Sequence, residues 1–420
     1  MIVGLTLRNF ALFTELRFGL VEPESPSLSE ARLNPLTAII GRNNSGKSTI
    51  LESLDFLADC LRVGVRAAAT RNHRGGFSKL RHEGSTEPVS LEIVLNLPEH
   101  NLVRYTLEIS ADRQGRPFVN RERLEKLGTD GISEVYLDLK EGQGKVRGKN
   151  SPSATGVNDL IYPALSLYGR LSDVPSCFRD TLYLLTRIFF FRLDSKSSAQ
   201  KDLDREGSAA HLDLAQGRGG HKHLNSNGTN VRNVLVWLRE EEPLKYERIM
   251  NLIDQRLPLS PRLRRDLQSG LYNSGEARFF ILQLLLLDPD PRPVILLDNP
   301  DSGMFYTLQS ALGLALREYE LTRRGQVILS THNTNLLDTF APSEVWYLPG
   351  PPQIEGRTEP GPSTTWDLLS EYSEIDPGAS EGVTYDSEVR ADCAADDPII
   401  RAMYDEGMSM GILWYQGYFT

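Results

Sequence analysis

Alternating apolar and polar positions predict strands in the first third of the chain. Ile2 to Leu7 alternate in this way, and a second short strand is expected at Leu16 to Phe18. The segments VSLEIVLNLP and VRYTLEISA alternate over longer stretches, which is typical of a β-hairpin or meander, and SEVYLDLK continues the pattern. The region therefore predicts an antiparallel sheet with one buried face.

The pattern changes abruptly between these strands. Leu36 to Ile40 is a short apolar run of the buried-strand type, Gly41 to Gly46 is rich in turn residues, and a helix is predicted from Ser48 onward. The apolar residues of this helix recur at helical spacing: Ile50, Leu54, Leu57 and Leu61. The segment is therefore predicted to be a strand, a loop and a helix in succession.

The remainder of the chain mixes helical and strand patterns. Residues 158–260 are mainly helical, with NVRNVLVWLREEEPLKYERIMNLIDQRL the clearest stretch. Residues 271–347 alternate in this order: helix GEARFFILQLLLL, strand PVILLD, helix TLQSALGLALREYEL, strand QVILSTH and strand EVWYLP. After Leu348 the chain becomes acidic, with nine acids against one arginine in residues 371–397, before a final short helix. These changes predict four segments: an N-terminal half with the β-subdomain (1–150), a helical insertion (151–270), a C-terminal half (271–350) and an acidic extension (351–420).

Composition narrows the class of protein without identifying it. The 420 residues are 40% hydrophobic, and 46 basic against 56 acidic residues give a net charge of -10, which disfavours a protein that coats polyanions. The three cysteines, Cys60, Cys177 and Cys393, are far apart, which argues against disulfides or a cysteine zinc site. The chain lacks the pattern of a secretion signal and any apolar run near about 18 residues. We therefore expect a cytoplasmic protein with no membrane contact.

The sharpest chemical signal is the eight-residue sequence GRNNSGKS at Gly41 to Ser48. It matches G-x-x-x-x-G-K-[ST] and lies between a predicted strand and a predicted helix, the context that distinguishes a phosphate loop from a chance glycine-rich turn. Backbone N–H groups of such a loop, together with the helix N-terminus, converge on phosphate oxygens. Lys47 neutralises β- and γ-phosphate oxygens and Ser48 binds Mg²⁺. The motif predicts ATP or GTP binding.

Three further segments are ambiguous when each is taken alone. Asp298 ends an apolar strand, where it suits a magnesium ligand or a cap for the turn at Asn299-Pro300. Ser274, in Asn273 to Glu276, suits a helix N-cap. His332 follows another apolar strand, a position that suits a catalytic histidine or a satisfied polar residue.

Together and in this order, the four segments resemble the ABC-type ATPases of the RecF, SMC and OLD group, which includes AAA-labelled prokaryotic ATPases of genome maintenance and anti-phage defence. LTAIIGRNNSGKSTILESL is similar to the Walker A segment, and NSGEARFFILQLLL is similar to the signature. VILLDNPDSG is similar to Walker B with the D-loop, and ILSTHNTNLLD to the strand with the switch histidine. The resemblance covers residues 1–70 and 225–350.

The resemblance implies an α/β fold: an ABC-type P-loop ATPase head with a mixed-sheet core, an antiparallel β-subdomain and a helical subdomain. It implies ATP and Mg²⁺ as cofactors, with Ser48 and Asp298 at the metal. It further implies a head-to-tail homodimer around two ATP molecules, in which His332 senses the γ-phosphate. The implied nucleotide-binding residues are Asn43, Asn44, Ser45, Gly46, Lys47, Ser48 and Thr49, with Ser274, Gly275 and Glu276 contributed by the second subunit.

One position departs from the pattern of the resembled family. That family has a glutamate after the Walker B aspartate to activate the attacking water, and this chain has Asn299. An amide can orient water but cannot accept its proton, and loss of a positioned base typically costs about 10²- to 10⁴-fold in rate. Asp301 is an alternative base, and no glutamine stands out for the Q-loop role. We therefore expect slow hydrolysis, with Asn299 and His332 as the catalytic-site residues.

Two kinds of side-chain cluster suggest other ligands. Three histidines, His211, His221 and His223, lie in a glycine-rich segment that favours a solvated loop over a metal site. Basic residues form two groups that suit either nucleic-acid phosphates or a solvated surface: Arg71, His73, Arg74, Lys79, Arg81 and His82 in the first, and Arg262, Arg264 and Arg265 in the second. DNA and RNA therefore remain candidate partners.

Three functional classes follow, in order of preference. The first is an ATP-binding switch that dimerises around nucleotide, with higher assemblies open, and controls a partner effector such as a nuclease encoded nearby, in DNA surveillance or anti-phage defence. The second is a RecF-like DNA repair clamp. The third is the nucleotide-binding subunit of a transporter, which the 227 residues between Lys47 and Ser274 disfavour.

Overall fold

Two β-sheets and the helices packed against them make up the described part of the protein. The computed structural model describes residues 1–20, 32–128, 133–147, 152–154, 159–193, 222–228, 230–257, 274–350 and 385–419. In these ranges no helix has both the length and the apolar character needed to cross a membrane.

The smaller sheet carries the phosphate-loop motif. Its six strands are β3 (Leu36–Gly41), β10 (Ile188–Phe191), β11 (Val294–Asp298), β12 (Gln326–Ser330), β13 (Val345–Leu348) and β15 (Asp392–Cys393). The spatial order is β10-β11-β12-β3-β13-β15, and all neighbours are parallel except β13 and β15. Because the carboxyl ends of parallel strands meet at one edge, the residues that follow β3, β10, β11 and β12 are brought together there.

The continuous apolar run in β11 follows from burial on both faces of this sheet. Val294 and Leu296 face a core shared with the larger sheet, whereas Ile295 and Leu297 face a second core on the opposite side. Helix α1 (Lys47–Val63) lies between the two sheets and places its apolar face in the first core.

The larger sheet is antiparallel over most of its width. Its nine strands are β1 (Ile2–Phe10), β2 (Phe13–Gly19), β4 (Val89–Leu97), β5 (Asn101–Ala111), β6 (Pro117–Lys126), β7 (Glu134–Lys140), β8 (Gln143–Arg147), β9 (Pro152–Ala154) and β14 (Tyr385–Arg390). The spatial order is β14-β2-β1-β4-β5-β6-β7-β8-β9. Only the pairing of β14 with β2 is parallel among these described strands.

The other helices place their buried apolar residues in one or the other of these two cores. They are α2 (Val65–Thr70), α3 (Phe77–Leu80), α4 (Ala164–Tyr168), α5 (Ser176–Thr186), α6 (Val231–Glu241), α7 (Pro243–Arg256), α8 (Gly275–Leu286), α9 (Tyr306–Leu321), α10 (Thr334–Leu337), α11 (Pro398–Asp405) and α12 (Met410–Tyr415). The predicted α/β fold of a P-loop ATPase head, with a mixed sheet, an antiparallel sheet and helices, is confirmed.

Several elements differ from the sequence-based expectation. The long helical run after residue 230 is two helices, because Glu242 leaves helical geometry (φ −136°, ψ 56°) and Pro243 begins α7. Strand β10 lies in the segment expected to be helical, and β14 and β15 lie in the expected acidic extension. These strands have two to six residues, too few for a clear period, and only their partners in the sheets define them.

A buried carboxylate joins β6 to α4. Glu122 is 1% exposed and accepts hydrogen bonds from the Tyr105 hydroxyl (2.8 Å) and from the main-chain N–H groups of Leu165 (2.8 Å) and Ala164. Burial nevertheless raises the pKa of Glu122 to about 7, because the loss of hydration outweighs these donors. The fold therefore favours the neutral carboxyl group.

We expect the wild-type protein to lose stability relative to Glu122→Gln as pH rises. The folded-state pKa lies above the ordinary value of 4.5, so the contribution of the neutral carboxyl is complete below that pH and is lost as pH rises through about 7. The loss corresponds to about 3 kcal/mol in the free energy of unfolding, whereas glutamine does not titrate. Urea unfolding of both proteins between pH 5 and 8 measures it. A stability difference independent of pH would contradict the raised pKa.

Candidate nucleotide site

The motif at Gly41 to Ser48 forms a tight turn between β3 and α1. Asn44 (φ 62°) and Gly46 (φ 97°) adopt left-handed backbone conformations, and the exposed side chains of Asn43 and Asn44 leave the turn open to solvent. Gly46 has no room for a side chain, since a Cβ there would lie 2.3 Å from Cζ of Phe13. The turn therefore needs glycine for both its dihedral angles and its packing.

Lys47 is buried at the base of this turn. Its ammonium donates to the carbonyl oxygens of Gly41 (3.0 Å) and Arg42 (2.7 Å) and lies 3.4 Å from Oγ of Ser45. Desolvation lowers the pKa of Lys47 to about 8, while the charge of Asp298 acts in the opposite direction. A cation held in a poorly hydrated position is suited to an anionic ligand, which would replace the missing hydration.

Ser48 and Asp298 meet across 250 residues of sequence. The Ser48 hydroxyl donates to Oδ1 of Asp298 at 2.9 Å, and Thr49 lies half-buried beside it in the first turn of α1. Both oxygens are hard ligands, and their separation is close to the distance of about 3.0 Å between neighbouring oxygens around an octahedral Mg²⁺ ion. The two side chains therefore fit a magnesium ion.

Strand pairing fixes the position of Asp298. The register of β11 and β12 sets Asp298 opposite Ser330, whose hydroxyl donates to Oδ1 of Asp298 at 2.5 Å. The amide group of Asn299 donates to the same oxygen at 3.3 Å. Asp298 is thus held toward Ser48 by its neighbours. Because Asp298 also accepts hydrogen bonds from Ser48 and Ser330, its contacts extend beyond the turn at Asn299-Pro300.

Asn299 and Asp301 have different surroundings. Asn299 follows Asp298 in a left-handed conformation (φ 44°), and its main-chain N–H donates to the hydroxyl of Ser330 at 3.0 Å. Asp301 is 7% exposed and accepts a hydrogen bond from the Thr331 hydroxyl at 3.0 Å. Burial raises the pKa of Asp301. Asp301 thus has a partner inside the fold, and Asn299 is the residue beside Asp298 at the strand tip.

His332 lies at the same edge of the sheet, two residues beyond Ser330. The residue is exposed to solvent. The pKa of His332 is lowered, first by partial burial and second by the positive charge of Lys47, and Asp298 opposes the shift. The imidazole is therefore within electrostatic reach of both charged residues, and its lowered pKa favours the neutral form.

The segment predicted to be the signature begins α8. The Ser274 hydroxyl accepts a hydrogen bond from the N–H of Ala277 (3.2 Å), which makes Ser274 the N-cap, and Gly275 and Glu276 form the half-buried first turn. A Cβ at Gly275 would lie 2.4 Å from the carbonyl oxygen of Gly303. The start of α8 therefore packs directly against the turn that follows β11, and Asn273 lies outside the described residues.

The structure adds a residue that the sequence analysis did not single out. Arg192 follows β10, next to β11, and its guanidinium pairs with Glu52 of α1 at 2.7 Å while stacking on Phe190. It therefore lies at the same edge of the sheet as Asp298. The sequence had left the Q-loop role without a residue. Arg192 follows a strand of only four residues inside a helical pattern, so the sequence carries no signal for this placement.

Tertiary structure weakens the first basic cluster as a nucleic-acid surface. Arg74 is buried and pairs with Asp55 (2.6 Å) and Asp59 (2.8 Å), and His82 is buried with Nδ1 3.0 Å from the carbonyl oxygen of Ala11. These two side chains are therefore committed within the fold, contrary to the sequence-based hypothesis. The exposed members are Arg71, His73 and Lys79. The cluster at Arg262, Arg264 and Arg265 lies outside the described residues.

The histidine-rich segment is described only at its end. His211 and His221 lie outside the described residues, and His223 Nδ1 is 2.7 Å from Asp288. His223 is thus paired with a carboxylate of the fold, whereas the sequence favoured a solvated loop for this segment. All three cysteines are buried and free of disulfide bonds.

Comparison with known proteins identifies a related family. A family model described as "AAA domain, putative AbiEii toxin, Type IV TA system" matches residues 36–338, well over half of the chain. The match agrees with the resemblance carried by the four segments. No curated protein matches the chain.

Solved structures similar to this chain include three SMC head domains. One is bound to the C-winged helix domain of ScpA (14% identity, TM-score 0.45, covering 82% of this chain and 94% of that chain). The second is from Thermotoga maritima (15% identity, TM-score 0.36, 82% and 94%). The third, with an extended coiled coil, is bound to the C-terminal domain of ScpA derived from Pyrococcus furiosus (14% identity, TM-score 0.41, 82% and 92%).

Proposed function

The chain belongs to the family of AAA domains described as putative AbiEii toxins of type IV toxin–antitoxin systems, and on that basis we propose that it is an ATP-binding switch that hydrolyses ATP slowly. The observation that carries the proposal is the meeting of Lys47, Ser48 and Asp298 at the carboxyl edge of one parallel sheet. Three side chains of these types, beside a glycine-containing turn and a helix N-terminus, suit a triphosphate with its metal.

Each residue has a role in this proposal. Lys47 would pair with phosphate oxygens, and the N–H groups of the turn and of the start of α1 would donate to them. Ser48 and Asp298 would hold Mg²⁺, which supplies neutralisation of the triphosphate charge when it is bound. His332, neutral and near Lys47, would donate or accept one hydrogen bond at the γ-phosphate end.

Slow hydrolysis is proposed because the position after Asp298 holds an amide. Asn299 can hold a water molecule by hydrogen bonds, but it has no basic group to take the proton from that water. The carboxylate of Asp301 is buried against Thr331. The nucleotide-bound state would then persist until a partner or trigger changes it.

Dimerisation around nucleotide is the second part of the proposal. The N-terminus of α8, a helix of twelve residues, suits a phosphate of the second subunit. It consists of Ser274, Gly275 and Glu276. The adjoining turn leads into α9 through its N-cap Phe305 and first residue Tyr306, which are 76% and 69% exposed. Exposed aromatic side chains beside a polar helix start suit the centre of an interface.

Ser274→Arg is expected to leave ATP binding to the monomer intact and to abolish ATP-induced dimerisation. A long cation would occupy the position proposed to face the phosphate loop of the other subunit. Loss of the N-cap alone costs only about 1 kcal/mol, and Ser274→Ala provides the matched control because it loses the same cap bond without adding bulk. Light scattering during gel filtration with and without ATP measures the assembly. ATP-dependent dimers of Ser274→Arg would refute the nucleotide sandwich.

The third part of the proposal is control of a partner effector, a nuclease being the preferred type. It is supported by the slow turnover proposed above, because a nucleotide-bound state that rarely resets by itself can act as a scaffold for a second protein. Isolation of the chain with the products of its neighbouring genes, followed by analysis of bound nucleotide, tests this. Co-purification of one such product with retained ATP is the expected result. Isolation without a protein partner but with bound DNA would instead favour a repair clamp.

A further inference from the structure

Strand β14, in the C-terminal part of the chain, contacts the phosphate loop through its first residue. Strand β14 pairs with β2 in parallel, and its first residue, Tyr385, is registered opposite Phe13. The two rings stack with centroids 5.3 Å apart and an interplanar angle of 22°. Phe13 in turn touches Gly46, where even a Cβ would overlap with its ring. Tyr385 is thus connected to Gly46 of the loop through the ring of Phe13.

The hydroxyl group of Tyr385 also contacts the loop directly. It lies 3.1 Å from the carbonyl oxygen of Ser45 and 2.6 Å from that of Pro349, so its one proton is shared between two acceptors. Tyr385 is 3% exposed, and burial raises its pKa to about 12. The hydroxyl therefore remains a donor at neutral pH.

Peptide geometry transmits this contact to the phosphate side of the loop. The peptide bonds of the described chain are trans, so the N–H of Gly46 points opposite to the carbonyl of Ser45. A carbonyl fixed toward Tyr385 therefore aims the Gly46 N–H away from β14. Without the hydroxyl, both carbonyl oxygens would lose this donor, and the Ser45-Gly46 peptide plane would lose one restraint on its orientation.

We propose that Tyr385 is a positioning residue that sets the orientation of the Ser45-Gly46 peptide for phosphate binding. The inference rests on the proposed nucleotide site and extends it to a strand outside the family match at residues 36–338. Tyr385 acts through the backbone of the loop and touches no ligand in this scheme. The nucleotide affinity of the protein therefore depends on the docking of strand β14.

Tyr385→Phe tests this with the loss of a single oxygen atom. We expect the dissociation constants of ATP and ADP to rise by similar factors, about 3- to 10-fold, because one hydrogen bond of ordinary strength is lost from the loop. Tyr319→Phe is the matched control: its hydroxyl donates to the carbonyl oxygen of Arg292 at 3.0 Å, at the opposite edge of the same sheet. Isothermal titration and thermal unfolding without nucleotide are measured for both variants.

The outcomes separate the two proposals. Tyr319→Phe should lower the unfolding temperature about as much as Tyr385→Phe does, while it keeps the nucleotide affinity within about twofold of wild type. Wild-type affinity in Tyr385→Phe, or equal losses of affinity in both variants, would overturn the positioning role alone. Absence of ATP binding by the wild-type protein would overturn the proposed nucleotide site and, with it, this inference.

Discussion

Lys47→Ala is expected to abolish ATP binding, with a rise in dissociation constant of at least about 100-fold. The variant loses the buried ammonium that would pair with the β- and γ-phosphate oxygens, and charge-assisted hydrogen bonds of this kind contribute about 1.5–3 kcal/mol each. It also frees the carbonyl oxygens of Gly41 and Arg42, which the ammonium holds in the described conformation. Titration calorimetry with ATP and Mg²⁺ provides the measurement.

Lys140→Ala is the control for this experiment. Lys140 is an exposed lysine at the end of β7 in the larger sheet, so its removal changes the net charge equally without touching the loop. We expect wild-type affinity in this variant. Unchanged ATP affinity in Lys47→Ala would remove the phosphate-loop assignment and every role built on it.

Asn299→Glu is expected to increase ATP hydrolysis by about 100-fold or more. A carboxylate at this position would restore a proton acceptor beside the attacking water, an effect worth about 10²- to 10⁴-fold. The left-handed backbone at residue 299 suits asparagine better than glutamate, and the strain costs about 1–2 kcal/mol. We therefore expect the lower end of this range. Phosphate release in a single turnover, with the protein in saturating excess over ATP, measures the rate.

Asn299→Gln is the matched control, because glutamine has the length and backbone cost of glutamate without a basic group. It should remain as slow as the wild-type protein, which we expect to hold ATP for many minutes. The opposing result is brisk phosphate release by the wild-type protein that Asp301→Asn abolishes and Asn299→Ala leaves intact. That result would make Asp301 the base, despite its bond to Thr331, and would reject the slow switch.

These two experiments separate binding from turnover. A protein that binds ATP tightly and fails to hydrolyse it responds to a partner or trigger, since the equilibrium between its states is not reset by its own chemistry. A rise in hydrolysis in Asn299→Glu should therefore shorten the lifetime of any ATP-dependent dimer. The same gel-filtration measurement used for Ser274→Arg follows that lifetime.

The sequence by itself determined the elements whose signals are local. The strand, loop and helix around Gly41 to Ser48 were predictable because a contiguous motif, an apolar run and a helical period all lie within about 25 residues. The same is true of β11, β12 and α8, whose apolar patterns are dense and whose ends carry Asp298, His332 and Ser274. Such patterns reflect the periodicity and the local propensity of a segment, which depend on neighbours in the chain.

Only the tertiary structure decided which of these side chains meet. The hydrogen bond between Ser48 and Asp298 spans 250 residues and depends on strand order and register, for which a single sequence has no local signal. Burial likewise decided that Arg74 pairs with Asp55 and Asp59 and that Asp301 bonds to Thr331. An isolated arginine or aspartate in a sequence is compatible with solvent, an ion pair or a ligand, and its environment selects among them.

The short strands illustrate the same physical limit. Strand β10 places Arg192 beside Asp298, and β14 places Tyr385 behind Ser45, yet the two strands have four and six residues. A strand of this length is stable only when its backbone groups bond to neighbouring strands, so its own residues carry little of the information that defines it. Local patterns therefore determined the phosphate loop, whereas long-range pairing in the folded chain decided what surrounds it.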